Sequence, residues 1–83
     1  MKITKVEWYA SDYVKSLRFT MFDGTFSPVL GSRPPSQQQE FGSGTVLGSI
    51  HVGVTHDNYI ASLVFLDDSK KKILVIKGTK ESS

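Results

Sequence analysis

The chain of 83 residues contains no cysteine, so neither a disulfide nor a thiolate zinc site can hold it together. Small domains often lean on such staples. Packing, or association with another chain, has to take their place. No stretch approaches the roughly 18 apolar residues that a membrane span needs. The opening segment Met1-Lys2-Ile3-Thr4-Lys5 runs into Val6-Glu7-Trp8-Tyr9, which is strand-like and lacks the apolar core of a signal peptide. An intracellular protein, or a piece of a longer one, fits these absences best, and the compartment itself is left open with a slight lean to the cytoplasm.

Charge of one sign is scarce as well. The formal net charge is +2 and the only arginines are Arg18 and Arg33. A nucleic-acid partner usually requires a concentrated basic face, and single-strand binders interleave aromatics with arginine; neither pattern is present. The one basic cluster, Lys70-Lys71-Lys72 with Lys77 and Lys80, reads as a solvated strand edge that discourages aggregation. Catalytic arrangements are missing too: no serine sits in a nucleophile elbow, and no glycine-rich phosphate loop opens a helix. His51 and His56 are the only histidines. Five apart, they would point to opposite sides of one strand, and with Asp57 they make a weak metal set. His51 is expected at a half-buried strand position. No cofactor, no metal site and no enzymatic activity are expected.

What is present is a series of short aromatic and β-branched blocks separated by Gly, Pro, Asp, Asn and Ser, the spacing of strands and turns. Val6, Trp8 and Ala10 share one face of a first strand; Tyr13, Leu17, Phe19 and Met21 share one face of a second. Asp23-Gly24 predicts a tight two-residue hairpin turn, because both residues tolerate positive φ. Thr25–Leu30 returns as a third strand, and Pro28 places it at an edge or a bulge because proline cannot donate to a ladder. Residues 31–44, with Pro34-Pro35 and three glycines, are expected to form a long disordered loop. Val46, Gly48, Ile50, Val52 and Val54 then alternate with Leu47, Ser49, His51 and Gly53. Strands at Tyr59–Leu66 and Ile73–Ile76 follow, and the polar tail from Gly78 to Ser83 is expected to fray.

The most informative feature is internal. Asp12-Tyr13-Val14-Lys15-Ser16-Leu17-Arg18-Phe19 aligns without a gap on Asn58-Tyr59-Ile60-Ala61-Ser62-Leu63-Val64-Phe65. Tyr, Ser, Leu and Phe are identical in the two blocks, and Val14/Ile60 and Asp12/Asn58 are chemically alike. Each block follows an apolar strand and leads to an acidic turn, a further strand and a glycine (Gly31, Gly78). Two such units usually stack or pair around a pseudo-symmetric core. Coincidence among strand-rich segments is the plain alternative, and the matching context argues against it.

This block resembles the repeat of the jacalin-like lectins, in which three four-stranded Greek-key units form a triangular β-prism that binds mannose or galactose. The likeness covers Ser11–Phe19 and Asp57–Phe65, with looser support from Val6–Trp8 and Val46–Val52. It implies an all-β fold of antiparallel sheets from two repeated Greek-key or hairpin units, β-prism-like and incomplete unless a third unit is supplied from elsewhere. The expected organisation is a single domain over 1–83, with unit one at 3–31, the loop at 31–44 and unit two at 45–78. The family's ligand-binding aspartate falls on Lys15 and Ala61 in this chain, and its glycine on Ser11 and Asp57. A carboxylate accepts sugar hydroxyls through charge-assisted bonds; lysine can only donate and alanine does neither. The nearest remaining candidates are Ser11, Asp12, Tyr13, Asp57, Asn58 and Tyr59. The competing assignment makes the tyrosines core residues and the acids turn formers. Two functions follow as expectations. One is a non-enzymatic carbohydrate-binding module; the other is a structural or protein-interaction module that kept the β fold and lost the sugar site. The expected partners are carbohydrate or another protein chain, as a homo-oligomer or part of a larger assembly, and not nucleic acid or membrane.

Overall fold

In a computed structural model, which describes residues 1–31 and 33–80, the chain forms six antiparallel strands, with no helix among the described residues. They are β1 (Lys2–Ala10), β2 (Val14–Met21), β3 (Phe26–Leu30), β4 (Gln37–Val54), β5 (Ile60–Asp67) and β6 (Lys72–Lys77). Their order is β3-β2-β1-β4-β5-β6. The first four strands therefore have Greek-key order, with β4 returning beside β1, whereas β4, β5 and β6 form a simple meander. The two halves share β4, which pairs with β1 through Gln37–Glu40 and Thr45–Val46 and with β5 through Leu47–Val54.

Because directly opposed residues of an antiparallel pair share a face, the register fixes what points inward. Val6 lies opposite Phe19 and Trp8 opposite Leu17; Leu63 lies opposite Ile76 and Phe65 opposite Leu74. These inward faces meet. Phe19 packs edge-on against Phe65, with ring centroids 5.8 Å apart, and Tyr13 stacks on Tyr59 at 4.6 Å. Since residue 13 meets 59 and residue 19 meets 65, β2 and β5 run in the same direction across the interface. The aligned residues thus contact one another. Ile3, Val6 and Phe65 are fully buried at its centre. Each large apolar side chain so buried stabilises the fold by about 1.5–3 kcal/mol, and a well-placed aromatic pair adds about 0.5–1.5 kcal/mol.

The outward face of β1 and β2 is polar and paired. Arg18 donates to both carboxylate oxygens of Glu7, at 3.1 and 3.0 Å, and its guanidinium lies 5.1 Å from the Phe26 ring centroid. Arg18, above all through these hydrogen bonds, holds the Glu7 carboxyl below its ordinary value, with burial opposing.

Several expectations are corrected. The segment 31–44 is not a disordered loop throughout: Gln37–Gly44 belong to β4. Its polar side chains bury little, but its backbone completes the ladder along the open edge of β1, and Phe41 packs on the core. Four residues, Phe41–Gly44, bulge there opposite Thr4, and Gly42 and Gly44 take positive φ. Unit two therefore has no separate start at residue 45. Ser32, within the same expected loop, lies outside the described residues.

The turn at Asp23-Gly24 has three residues, Phe22-Asp23-Gly24, and only Gly24 has positive φ. The same closure recurs at Thr55–Tyr59 and Asp67–Lys71, where Asn58 and Lys70 occupy the left-handed position. His51 is exposed rather than half-buried. The tail does not fray from Gly78: Thr79 donates to the Ser11 carbonyl and Lys80 to the Asp12 carbonyl, at 2.9 and 3.1 Å. Glu81–Ser83 lie outside the described residues.

Pro28 sits where its chemistry demands, on the outermost strand β3, next to a register shift.

Candidate functional site

The stacking of Tyr13 on Tyr59 sets the position of the candidate residues. The β1–β2 connection (Ser11, Asp12, Tyr13) and the β4–β5 connection (Asp57, Asn58, Tyr59) come together at one end of the molecule. The two rings are within 14° of parallel. Tyr59 keeps 52% of its surface exposed, and Tyr13 is half-buried. The tyrosines are therefore neither plain core residues nor isolated on the surface. They form an aromatic ridge between two polar loops.

Each loop is built by its own side chains. The Asp12 carboxylate accepts from the Ser11 hydroxyl at 2.9 Å and the Tyr13 amide at 3.1 Å, and it pairs with Lys15 at 3.4 Å. The Ser11 hydroxyl does most to keep this carboxyl below its ordinary value; slight desolvation opposes it and Lys15 assists. In the second loop the Tyr59 amide donates to the Thr55 hydroxyl at 3.2 Å, and Asn58 adopts φ 66°. Asparagine tolerates that conformation better than most side chains. Asp57 and Asn58 are exposed.

The loops differ in what is left for a ligand. Asp12 is engaged by three groups and shapes its turn, as Asx residues commonly do. Asp57 has no ion-pair partner among the described residues. Lys15 points its charge back to Asp12. Ala61, its counterpart in the second block, is buried.

Sequence reasoning missed the brace beneath the first loop. Gly78 donates to the Ala61 carbonyl at 2.9 Å, and a Cβ there would overlap the Asp12 carbonyl oxygen. Only glycine lets the end of β6 run this close under Ser11 and Asp12. The recurrence of a glycine after each unit was the available signal. Among the described residues no three acidic, His or Cys side chains cluster as metal ligands. The geometry defines a small antiparallel β module whose β1–β2 and β4–β5 connections meet at one end. The chain matches no family model, no curated protein and no solved structure.

Proposed function

We propose that the protein is a non-enzymatic carbohydrate-binding module of jacalin-like, β-prism-like type, whose site is the ridge formed by Tyr13 and Tyr59 with the loops on either side. The observation that carries this reading is the Tyr13–Tyr59 stack, which gathers all six candidate residues at one end of the fold. In this reading Tyr59 offers an apolar ring surface to a sugar. Asp57 accepts hydroxyl protons in charge-assisted bonds, and Asn58 both donates and accepts. Ser11 and Asp12 act mainly by holding the first loop in place.

Titration of the full chain with mannose and galactose, followed by backbone amide shifts, tests it. Saturable shifts at residues 11–13 and 57–59, lost in Asp57→Asn and Tyr59→Ala, are the expected result. No shift at millimolar sugar overturns the reading. Trp8 is buried and is a poor reporter for this experiment.

A second reading, a protein-interaction module, has its own supporting observation. Val52 and Val54 stand on the inward side, opposite Leu63 and Ile60, yet each is 52% exposed. The outer strands β3 and β6 also leave one ladder edge unpaired. Edges and uncovered apolar faces of this kind recruit other chains. Sedimentation showing a monomer at all concentrations, together with no binding partner at either edge, argues against self-assembly through these surfaces.

A further inference from the structure

Aromatic and basic residues are not interleaved along the chain, but the sheet interleaves them. On β1, Lys2 and Tyr9 adjoin the inward residues Ile3 and Trp8 and so face outward. Phe26 of β3 lies opposite Thr20, which follows the inward Phe19, and so faces outward too. Cations stand beside the aromatic rings on this side. The Lys2 ammonium lies 4.3 Å from the Phe22 ring centroid, the Arg18 guanidinium 5.1 Å from that of Phe26 and the Arg33 guanidinium 4.8 Å from that of Tyr9. The pairs run across the face from the β2–β3 turn to the crossover that leads into β4. Phe26 and Tyr9 sit opposite Thr20 and Ser16. Those two positions are separated by roughly 13 Å of strand, which suits successive rings of a ligand rather than one.

The rings are open. Phe22 and Phe26 keep 60% and 64% of their surface exposed. Single apolar residues on a surface are ordinary, but large aromatics gathered on one face mark a contact surface. The cation beside each ring steadies it and leaves much of its area free. Charge points the same way. Lys2, Lys5, Arg18 and Arg33 outnumber Glu7 and Glu40 on this side. Glu7 is shared by Lys5, at 3.8 Å, and Arg18, at 3.0 Å, whereas Lys2 and Arg33 have no carboxylate partner among the described residues. Open rings alternating with unspent positive charge fit a ligand that alternates flat rings with anions. A lipid surface fits less well, because Asp23 lies between Phe22 and Phe26 at the turn and would have to enter with them. Thr25, donating from its hydroxyl at 2.7 Å and its amide at 3.0 Å, holds the Asp23 carboxyl below its ordinary value and so charged.

We propose that the outward face of β1, β2 and β3 binds single-stranded nucleic acid without sequence preference. Bases stack on Phe22, Phe26 and Tyr9, and the phosphates between them meet Lys2, Lys5 and Arg33. Stacking of this kind needs no readout of base edges, because every base has a π-face. The face shares no residue with the Tyr13–Tyr59 ridge, so either reading can fail without the other.

A fluorescein-labelled oligo(dT) of about ten nucleotides, within the usual span of such sites, is titrated with the full chain at low salt and followed by anisotropy. Saturable binding is expected, with a log–log salt slope of about −2 to −3 for three or four phosphate contacts. Amide shifts should fall on Lys2, Phe22 and Phe26 and spare residues 11–13 and 57–59. Phe22→Ala and Phe26→Ala remove exposed rings, so each should keep the spectrum of the folded protein and weaken binding by about fivefold or more. Phe26→Trp should restore it. Lys2→Gln should weaken binding and make the salt slope shallower by about 0.7. The proposal fails if the strand does not bind at low salt, or if either alanine variant binds unchanged. It fails equally if inorganic polyphosphate or duplex DNA competes as well as the strand, which would leave charge alone. Binding to phosphatidylglycerol vesicles without binding to the strand would assign the face to a membrane instead and overturn it.

Discussion

β1 and the second half of β4 occupy corresponding places, each running antiparallel to one of the two matched strands, β2 and β5. Both alternate apolar and polar residues, yet they end up differently. The inward residues of β1, Ile3, Val6 and Trp8, are all buried, whereas Val52 and Val54 of β4 remain open. The difference lies across the interface. Leu47 and Ile50 of β4 still pack on the shared core, but the cover runs out before it reaches Val52 and Val54. Alternation therefore reports which side of a strand is apolar; whether anything covers that side depends on how far the opposing layer extends.

The largest test of this contrast is a pair of truncations. Phe65→Ala removes a fully buried ring and should cost about 3–5 kcal/mol, a large part of what a domain of this size has. Val52→Ala should stay within about 0.5 kcal/mol, as surface changes usually do. Urea unfolding followed by Trp8 emission measures both, because Trp8 is buried in the same core. A Val52→Ala cost above about 1 kcal/mol would mean that this face is covered in solution, since only buried truncations reach that range.

A second comparison concerns the turns that close the hairpins. The β2–β3 turn places Gly24 at its left-handed position, while the β5–β6 turn places Lys70 there at φ 66°. A left-handed non-glycine residue costs about 1–2 kcal/mol, partly offset by the greater unfolded-state entropy of glycine. Lys70→Gly should therefore raise stability by about 0.5 kcal/mol in the same unfolding assay. A loss would show that the Lys70 side chain makes a contact of comparable worth.

A third comparison, of similar size, distinguishes the outward faces. That of β1 and β2 carries the Glu7–Arg18 pair, whereas His51 of β4 lies opposite Val64. Glu7 has a folded-state value below its unfolded one, so its contribution is fully present above the ordinary glutamate range. It is lost as pH falls from that range through the lowered folded value. Glu7→Gln should flatten this acid limb of the stability profile and cost about 0.5–1 kcal/mol at neutral pH, the range for a partly exposed pair. An unchanged acid limb would assign the pH dependence to other carboxylates.

The strands of both matched blocks were legible because Tyr, Leu and Phe recur at alternate positions and turn residues bracket them. Pro28 announced the edge strand through its missing amide hydrogen. The strand at Gln37–Gly44 was not legible, because its order comes from the backbone edge of β1, some thirty residues earlier in the chain, and composition does not carry that information. The candidate residues were named from local sequence. Their meeting at one end depends on the facing of β2 and β5, which the alignment of Tyr13 with Tyr59 hinted at without specifying. The brace at Gly78–Lys80 and the burial of the Ser16 hydroxyl arise wholly from long-range packing.

The double pairing of β4 also bears on how the chain reaches its native state. The β2–β3 and β5–β6 hairpins close over a few residues and can form early. The β1–β4 ladder joins Trp8 to Gln37, and the core then joins residues 46 positions apart, Tyr13 to Tyr59. Pairings of such separation must meet their loop-closure entropy before they return any stabilisation, which places folding toward the slow end for a domain this small. β4 is the strand on which both halves wait. Until it is seated, β1 and β5 each expose a bare edge, and the interval before it settles is when the chain is most open to pairing with a neighbour.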